Sequence, residues 1–157
     1  MSAHSEILDA AAAIIEALTP LTDQDPQNGF ERLEVGTIAE AEEMPNAHRM
    51  FSVRFSQGRS IDPFTGQFSR MVVNRGIDIS IIYMIQGRTP REIEPVIGED
   101  GDQILWALIN PLNRPTLTDA QFIEFSREAT ESIDLSDSGA SLIVTHTVPI
   151  MYRLEKY

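Results

Sequence analysis

His4, His48 and His146 are the side chains of this 157-residue chain best suited to move a proton or hold a metal near neutral pH. None has a second histidine at i+2, i+3 or i+4, so the spacing with which zinc sites draw ligands from one element is absent. His146 lies on the apolar side of an alternating run, which suits a core or interface histidine better than a ligand or general base. His4 belongs to the terminus. The nearest thing to a metal or acid–base cluster is Glu92, Glu94, Glu99, Asp100 and Asp102. It lacks the alternating oxygen ligands and closing glutamate of a calcium loop. Carboxylates early in a helix are favoured by the macrodipole, so a solvated helix start is the plainer reading. Gly58, Gly66, Gly76 and Gly87 form no phosphate loop, and neither GxGxxG, GxxxxGK[ST] nor GxSxG occurs. No serine or threonine has a histidine partner close in sequence, although triads assemble across a fold. The absence of cysteine excludes disulfides, thiolate metal sites and cysteine nucleophiles.

The elements that must carry these residues show clear periodicity. Ile7, Leu8, Ala11, Ile14, Ile15 and Leu18 form one helical stripe, predicting a helix from about Ser5 to Leu18 that Pro20 ends. Phe30–Ile38, with Leu33, Val35 and Thr37 on one side, is expected to be a strand, and Ala39–Met44 a loop or short helical turn. Met50–Gln57 alternates Phe51, Val53 and Phe55 against Ser52, Arg54 and Ser56. Gly58–Ser69, GRSIDPFTGQFS, is expected to be a long loop or hairpin tip, unusually apolar in Ile61, Phe64 and Phe68. Met71–Gln86 is the best-specified strand, with Ile77, Ile79, Ile81, Tyr83 and Ile85 on one side and Gly76, Asp78 and Ser80 on the other.

Thr89-Pro90-Arg91-Glu92 is a capping-box start for a helix that Pro111 ends; Pro95, Gly98 and Gly101 predict a kink or a broken pair. Trp106, beside its apolar stripe, suits a core or interface anchor better than a ligand platform. Leu112–Ala120 is a polar connection. One strand over Ile123–Leu135, a turn at Asp137-Ser138-Gly139 and a strand over Ala140–Leu154 predict an antiparallel hairpin. Pro149 cannot donate to a ladder, so the last strand is expected to be an edge or to carry a bulge there. The expected class is α+β: a single domain over residues 1–157, with two helices packed on one face of a mostly antiparallel β-sheet.

The hydrophobic fraction of 42% supports a real core. No apolar run is long enough to span a bilayer and the N-terminus lacks a signal-peptide plan, so the expectation is a soluble protein made in a cytoplasm, without membrane contact. The net charge of −12 argues against nonspecific nucleic-acid binding. The charge is uneven. Residues 49–91 hold seven arginines (Arg49, Arg54, Arg59, Arg70, Arg75, Arg88 and Arg91) against Asp62 and Asp78, leaving +5 there and −17 for the remainder. Lys156 is the only lysine. Two readings stand: an unevenly charged solvated surface, or a basic middle that meets the acidic part of a neighbouring copy. Arginine favours the second, being enriched at interfaces where lysine is depleted. A contact between two different patches closes into a ring or runs on as a filament. The expected interface residues are Arg54, Arg59, Phe64, Phe68, Arg70, Arg75 and Arg88, with the 58–69 segment inserting Phe64 or Phe68 into a neighbour.

The first helix Ile7–Leu18, the strand RGIDISIIYMI, the helix containing EDGDQILWALI and the closing SLIVTHTVPIMYRLEKY together resemble the tail terminator family of long-tailed bacteriophages over nearly the whole chain. The chain departs from that pattern in the long 58–69 loop and in the Gly/Pro-interrupted second helix. The resemblance implies a homo-hexameric ring in the virion neck, assembled in the host cytoplasm. Such a ring caps the tail tube protein, ends tube polymerisation and meets the head-completion or connector (stopper) protein, while DNA passes through its lumen without specific binding. It implies no catalytic residue, metal or cofactor. Three other readings remain open: a different neck or connector protein, a secretion or contractile-injection component, and an enzyme or small-ligand-binding α+β domain.

Overall fold

The computed structural model describes residues 3–22, 29–33, 38–41, 47–63, 70–85, 87–113, 120–136 and 139–155, with backbone alone at 3, 39, 57–63, 70–71, 90, 120–122 and 154–155. Helix α1 spans Ala3–Glu16 and buries Ile7, Ala11, Ala12 and Ile15, the face that the apolar stripe marks. Strand β1 is only Glu31–Arg32 and runs parallel to β2, which spans Met50–Pro63. Between them Ile38–Ala41 forms a one-turn helix, α2. The expected strand over Phe30–Ile38 is therefore corrected. Leu33 and Ile38 turn away to pack against Ala41, Ala47, Met50, Ile82 and Met84, and residues 34–37 lie outside the described residues.

Strand β3, Arg70–Met84, is central. Ile77, Ile79, Ile81 and Tyr83 are wholly buried under the helices, while Asp78 and Ser80 point to the other face. Its pairing with β2 continues as far as Pro63↔Met71, past a register shift between Phe55 and Arg59. The segment expected to be loop from Gly58 is thus strand up to Pro63, and residues 64–69 lie outside the described residues.

Helix α3 spans Pro90–Ile109 as one continuous helix, which corrects the expected broken pair. The Thr89 amide donates to Glu92 Oε2 at 3.2 Å, the return half of the capping box. Pro95 sits early in the helix on its exposed side, where it removes a single ladder bond. Gly101 is a contact residue and not a hinge: a Cβ there would lie 3.0 Å from Cε1 of the buried His146. Gly98 faces open space. Replacing Gly98 with alanine is therefore expected to stabilise the protein by about 1 kcal/mol through helix propensity. Gly101→Ala gains the same propensity but forces a well-packed ring to shift, at about 1–3 kcal/mol. Denaturant midpoints that fall in the opposite order would refute this reading of the helix–sheet contact.

The expected strand 123–135 is two strands, β4 at Ala120–Phe125 and β5 at Thr130–Leu135. Both pair with the same side of β6, Ser141–Glu155. Pro149 explains the division. The Ser126 amide donates to the Pro149 carbonyl at 2.8 Å, so that carbonyl faces β4 and β5. The N–H and C=O of a strand residue point the same way, so the donor that Pro149 lacks faces the gap between β4 and β5, where no ladder bond is required. β6 itself is interior and pairs with β3 from Arg70↔Glu155 to Met84↔Ser141. Neither expectation for Pro149 holds as stated: β6 is interior, and its pairing with β3 runs through Gly76↔Pro149 without a register shift, the break falling instead in the neighbouring strand.

The chain is α+β, a mostly antiparallel six-stranded sheet in the order β1-β2-β3-β6-β4, with β5 beside β4 on the same flank of β6. α1 and α3 cover one face, where the main core lies. Among the described residues no helix is long and apolar enough to cross a membrane.

Candidate functional site

The most concentrated polar chemistry in the fold is closed to solvent. Arg49 and Asp100 have fully buried side chains. Arg49 Nε and Nη2 donate to Asp100 Oδ2 and Oδ1 at 2.7 and 3.1 Å, and Nη2 also donates to the Thr22 carbonyl at 2.9 Å. Tyr83 Oη donates to Asp100 Oδ2 at 2.9 Å. Burial, and then the Asp100 charge, raise the Tyr83 pKa well above 10.0, so it serves as a donor at any ordinary pH. The knot fastens residues 19–22, the 47–49 turn and α3 to β3. Arg49 takes a left-handed φ of 63° to reach it. This corrects the charge count: Arg49 is spent internally and adds nothing to a basic surface. It also divides the acidic run, because Asp100 is buried while Glu92, Glu94, Glu99 and Asp102 are exposed.

His48 Nδ1 accepts the Met84 amide at 3.1 Å, which ties the 47–49 turn to the end of β3. His146 is buried in the middle of the helix-covered face, opposite Ile79 on β3 and Glu131 on β5. Its Nδ1 lies 3.7 Å from Glu131 Oε2, and its Nε2 is buried without a hydrogen bond among the described residues. Burial holds its pKa below the ordinary 6.5, against the opposing pull of Glu131 and Asp100. Among the described residues no three histidine or carboxylate side chains converge as metal ligands would.

The helix-free face is a ladder of short polar side chains. Asp78 Oδ1 accepts from Ser56 Oγ at 2.8 Å and from Thr147 Oγ1 at 2.7 Å, and Ser80 and Thr145 hydroxyls bond at 3.0 Å. The Ser80 and Thr145 hydroxyls satisfy each other, while those of Ser56 and Thr147 both donate to the one Asp78 oxygen.

Of the expected interface residues, the three whose side chains are described, Arg54, Arg75 and Arg88, lie in different places. Arg54 is exposed on the helix-free face of β2, opposite Asp78. Arg75 lies on the other face, half-buried, with its guanidinium carbon 3.9 Å above the Phe55 ring. Arg88 is half-buried in the turn that leads into α3. The backbones of Arg59 and Arg70 are in β2 and β3, opposite Arg75 and Glu155. Phe64 and Phe68 lie outside the described residues.

The margins of the sheet are exposed. Among the described residues β5 pairs only with β6, and all six of its residues are exposed. Ile133 and Leu135 share the helix-covered face with Val144 and Leu142 yet stay exposed, because the helix layer does not reach them. At the opposite margin β1 covers only Met50 and Phe51; among the described residues no strand covers β2 from Ser52 onward. Alternation in the sequence marks Ile133 and Leu135 as facing the helices, but carries no signal that the layer stops short. Trp106 and Leu112 are also exposed, which removes the core reading of Trp106. No protein-family model matches the chain, and no curated protein matches it.

Proposed function

We propose that this chain is a structural ring subunit of the tail terminator kind: a virion protein that caps a phage tail tube, stops its growth and joins it to the head-completion or connector complex. The observation that carries this reading is the pair of open sheet margins with opposite charge. β5 brings Glu131 and Asp134 with no base, and β2 over residues 52–59 brings Arg54 and Arg59 with no acid. Unlike margins join head to tail, and head-to-tail contacts close into rings. Long exposed edges are a hazard that monomeric proteins blunt; an assembly subunit uses them.

Two further features support the same reading. The polar groups with the geometry of a reactive centre are consumed in the Arg49–Asp100–Tyr83 knot, out of reach of a substrate. Trp106 and Leu112 remain exposed on and just beyond α3, suited to a contact with a different protein such as the tube or connector. In a closed ring, the net negative charge and a face whose hydroxyls are already hydrogen-bonded, Ser80 with Thr145 and Ser56 and Thr147 to Asp78, give passing DNA little to hold.

The solution mass tests this. A ring is expected near neutral pH at low salt, with a mass about six times that of the subunit, and it should weaken at high salt as exposed charge pairs are screened. Electron micrographs should show annular particles, and cross-linking should join them to tube subunits. A chain that stays monomeric at all concentrations, or one that cross-links only to head-connector subunits, would overturn the terminator reading.

A further inference from the structure

We infer that the subunits join by strand addition: β5 of one copy pairs antiparallel with β2 of the next, in the single register that sets Asp134 opposite Arg54. This rests on the ring reading above and specifies its contact.

Strand direction is the first argument. β2 is antiparallel to β3, β3 to β6, and β6 to β5, so β5 runs opposite to β2. Rotation about a ring axis preserves strand direction relative to that axis. A neighbour's β2 set beside β5 therefore continues the antiparallel order that the rest of the sheet already has.

The second argument is hydrogen-bond parity. The Ser136 amide donates to the Ser141 carbonyl at 2.9 Å, so Ser136, Asp134 and Ser132 turn their backbone groups toward β6. Glu131, Ile133 and Leu135 turn theirs outward. On the other margin the Phe51 carbonyl accepts from the Leu33 amide at 2.7 Å, so Phe51 faces outward, and Val53 and Phe55 follow by alternation. Both margins thus expose odd-numbered residues. In the proposed register Val53 meets Leu135 and Phe55 meets Ile133, outward group to outward group, for about four new backbone hydrogen bonds.

The third argument is the side chains that this register brings together. On the helix-covered side, the exposed Ile133 and Leu135 meet the half-buried Phe55 and Val53, so apolar surface that the monomer leaves open is covered. On the helix-free side, Arg54 meets Asp134 and Ser56 meets Ser132. Moving β5 by two residues would set Phe55 against Glu131 and Arg54 against Ser132. Moving it by one would place apolar side chains on the polar face. The symmetric alternatives fail on charge, because β5 against β5 juxtaposes acids and β2 against β2 juxtaposes arginines.

The chain has no cysteine, so engineered pairs test this cleanly. The double variant S56C/S132C is expected to give a ladder of covalently linked copies under mild oxidation, collapsing to monomer on reduction. S52C/S132C, displaced along β2, is expected to give about tenfold less. In a second arm, Arg54→Asp and Asp134→Arg are each expected to weaken association by about tenfold or more, and the double variant R54D/D134R to restore it. If the mass shows association while the Ser56/Ser132 pair fails to link, or while the charge exchange fails to rescue, this register is wrong and the ring reading survives. If neither the mass nor any cysteine pair shows association, the ring reading falls and this inference falls with it.

Discussion

Replacing Asp100 with alanine is expected to lower the free energy of unfolding by about 3–5 kcal/mol, because it strands a buried guanidinium. Arg49 then loses its carboxylate partner, while the Thr22 carbonyl and the Phe30 ring, whose centroid lies 5.7 Å from its guanidinium carbon, remain beside it. Tyr83 loses its acceptor in the same step. A loss of that size is a large part of the roughly 5–15 kcal/mol that holds a typical domain together, so the variant should sit close to its unfolding transition at room temperature. Removing both charges at once, as in Arg49→Leu with Asp100→Leu, is expected to recover part of the loss, since a buried pair contributes little net stability once its desolvation is counted. The left-handed φ at residue 49 remains in that double variant and limits the recovery. Urea denaturation of the single and double variants separates these contributions. A single-variant loss below about 1 kcal/mol would mean that water reaches Arg49, and the knot would then be a solvated surface pair.

How much of this was legible beforehand depends on which residues carried the signal. Ile77–Tyr83 and Leu142–Tyr152 state their alternation in the chain, and both strands lie where that alternation puts them, each with its apolar side under the helices. The capping box at Thr89 and the stripe of α1 were equally local and equally readable. What eluded a linear reading depends on partners distant in sequence. Gly101 looks like a helix breaker until His146 is placed against it. Pro149 announces an irregularity, but only the three-dimensional neighbourhood shows that the neighbouring strand breaks and β6 does not. Arg49 counts as surface charge until Asp100 arrives from α3, 51 residues away. The same holds for the proposed interface. Arg54 is a candidate from its composition context, whereas Asp134, Ile133 and Leu135 become candidates only once the helix layer is seen to stop short of β5.

Acid is expected to destabilise the fold through His146 well before most carboxylates titrate. The imidazole is buried, and burial holds its folded-state pKa below 6.5. The unfolded chain takes up the proton near that ordinary value, and the folded chain only at lower pH. Between the two, the unfolded state binds more protons, so stability rises with pH and is lost as pH falls. The loss begins as pH drops through 6.5 and continues down to the folded value, approaching about 1.4 kcal/mol for each pH unit within that window. Glu131, with Oε2 3.7 Å from Nδ1, and Asp100 on α3 both favour the charged ring and shorten the window without reversing its sign. His146→Leu removes the titrating group, and it removes an Nε2 that is buried without a hydrogen bond among the described residues. Its stability near pH 7.5 should therefore stay within about 1.5 kcal/mol of the parent. The decisive quantity is the difference in unfolding free energy between the two proteins from pH 7.5 to 5, in which contributions shared with His4 and His48 cancel. A difference that grows steadily in favour of the leucine variant as pH falls is the expected outcome. Parallel curves, or a parent that gains on the variant in acid, would mean that Glu131 closes on Nδ1 and holds the imidazolium against burial. Because Glu131 belongs to β5, that result would also place a charge-dependent movement in the strand proposed to receive the neighbouring subunit.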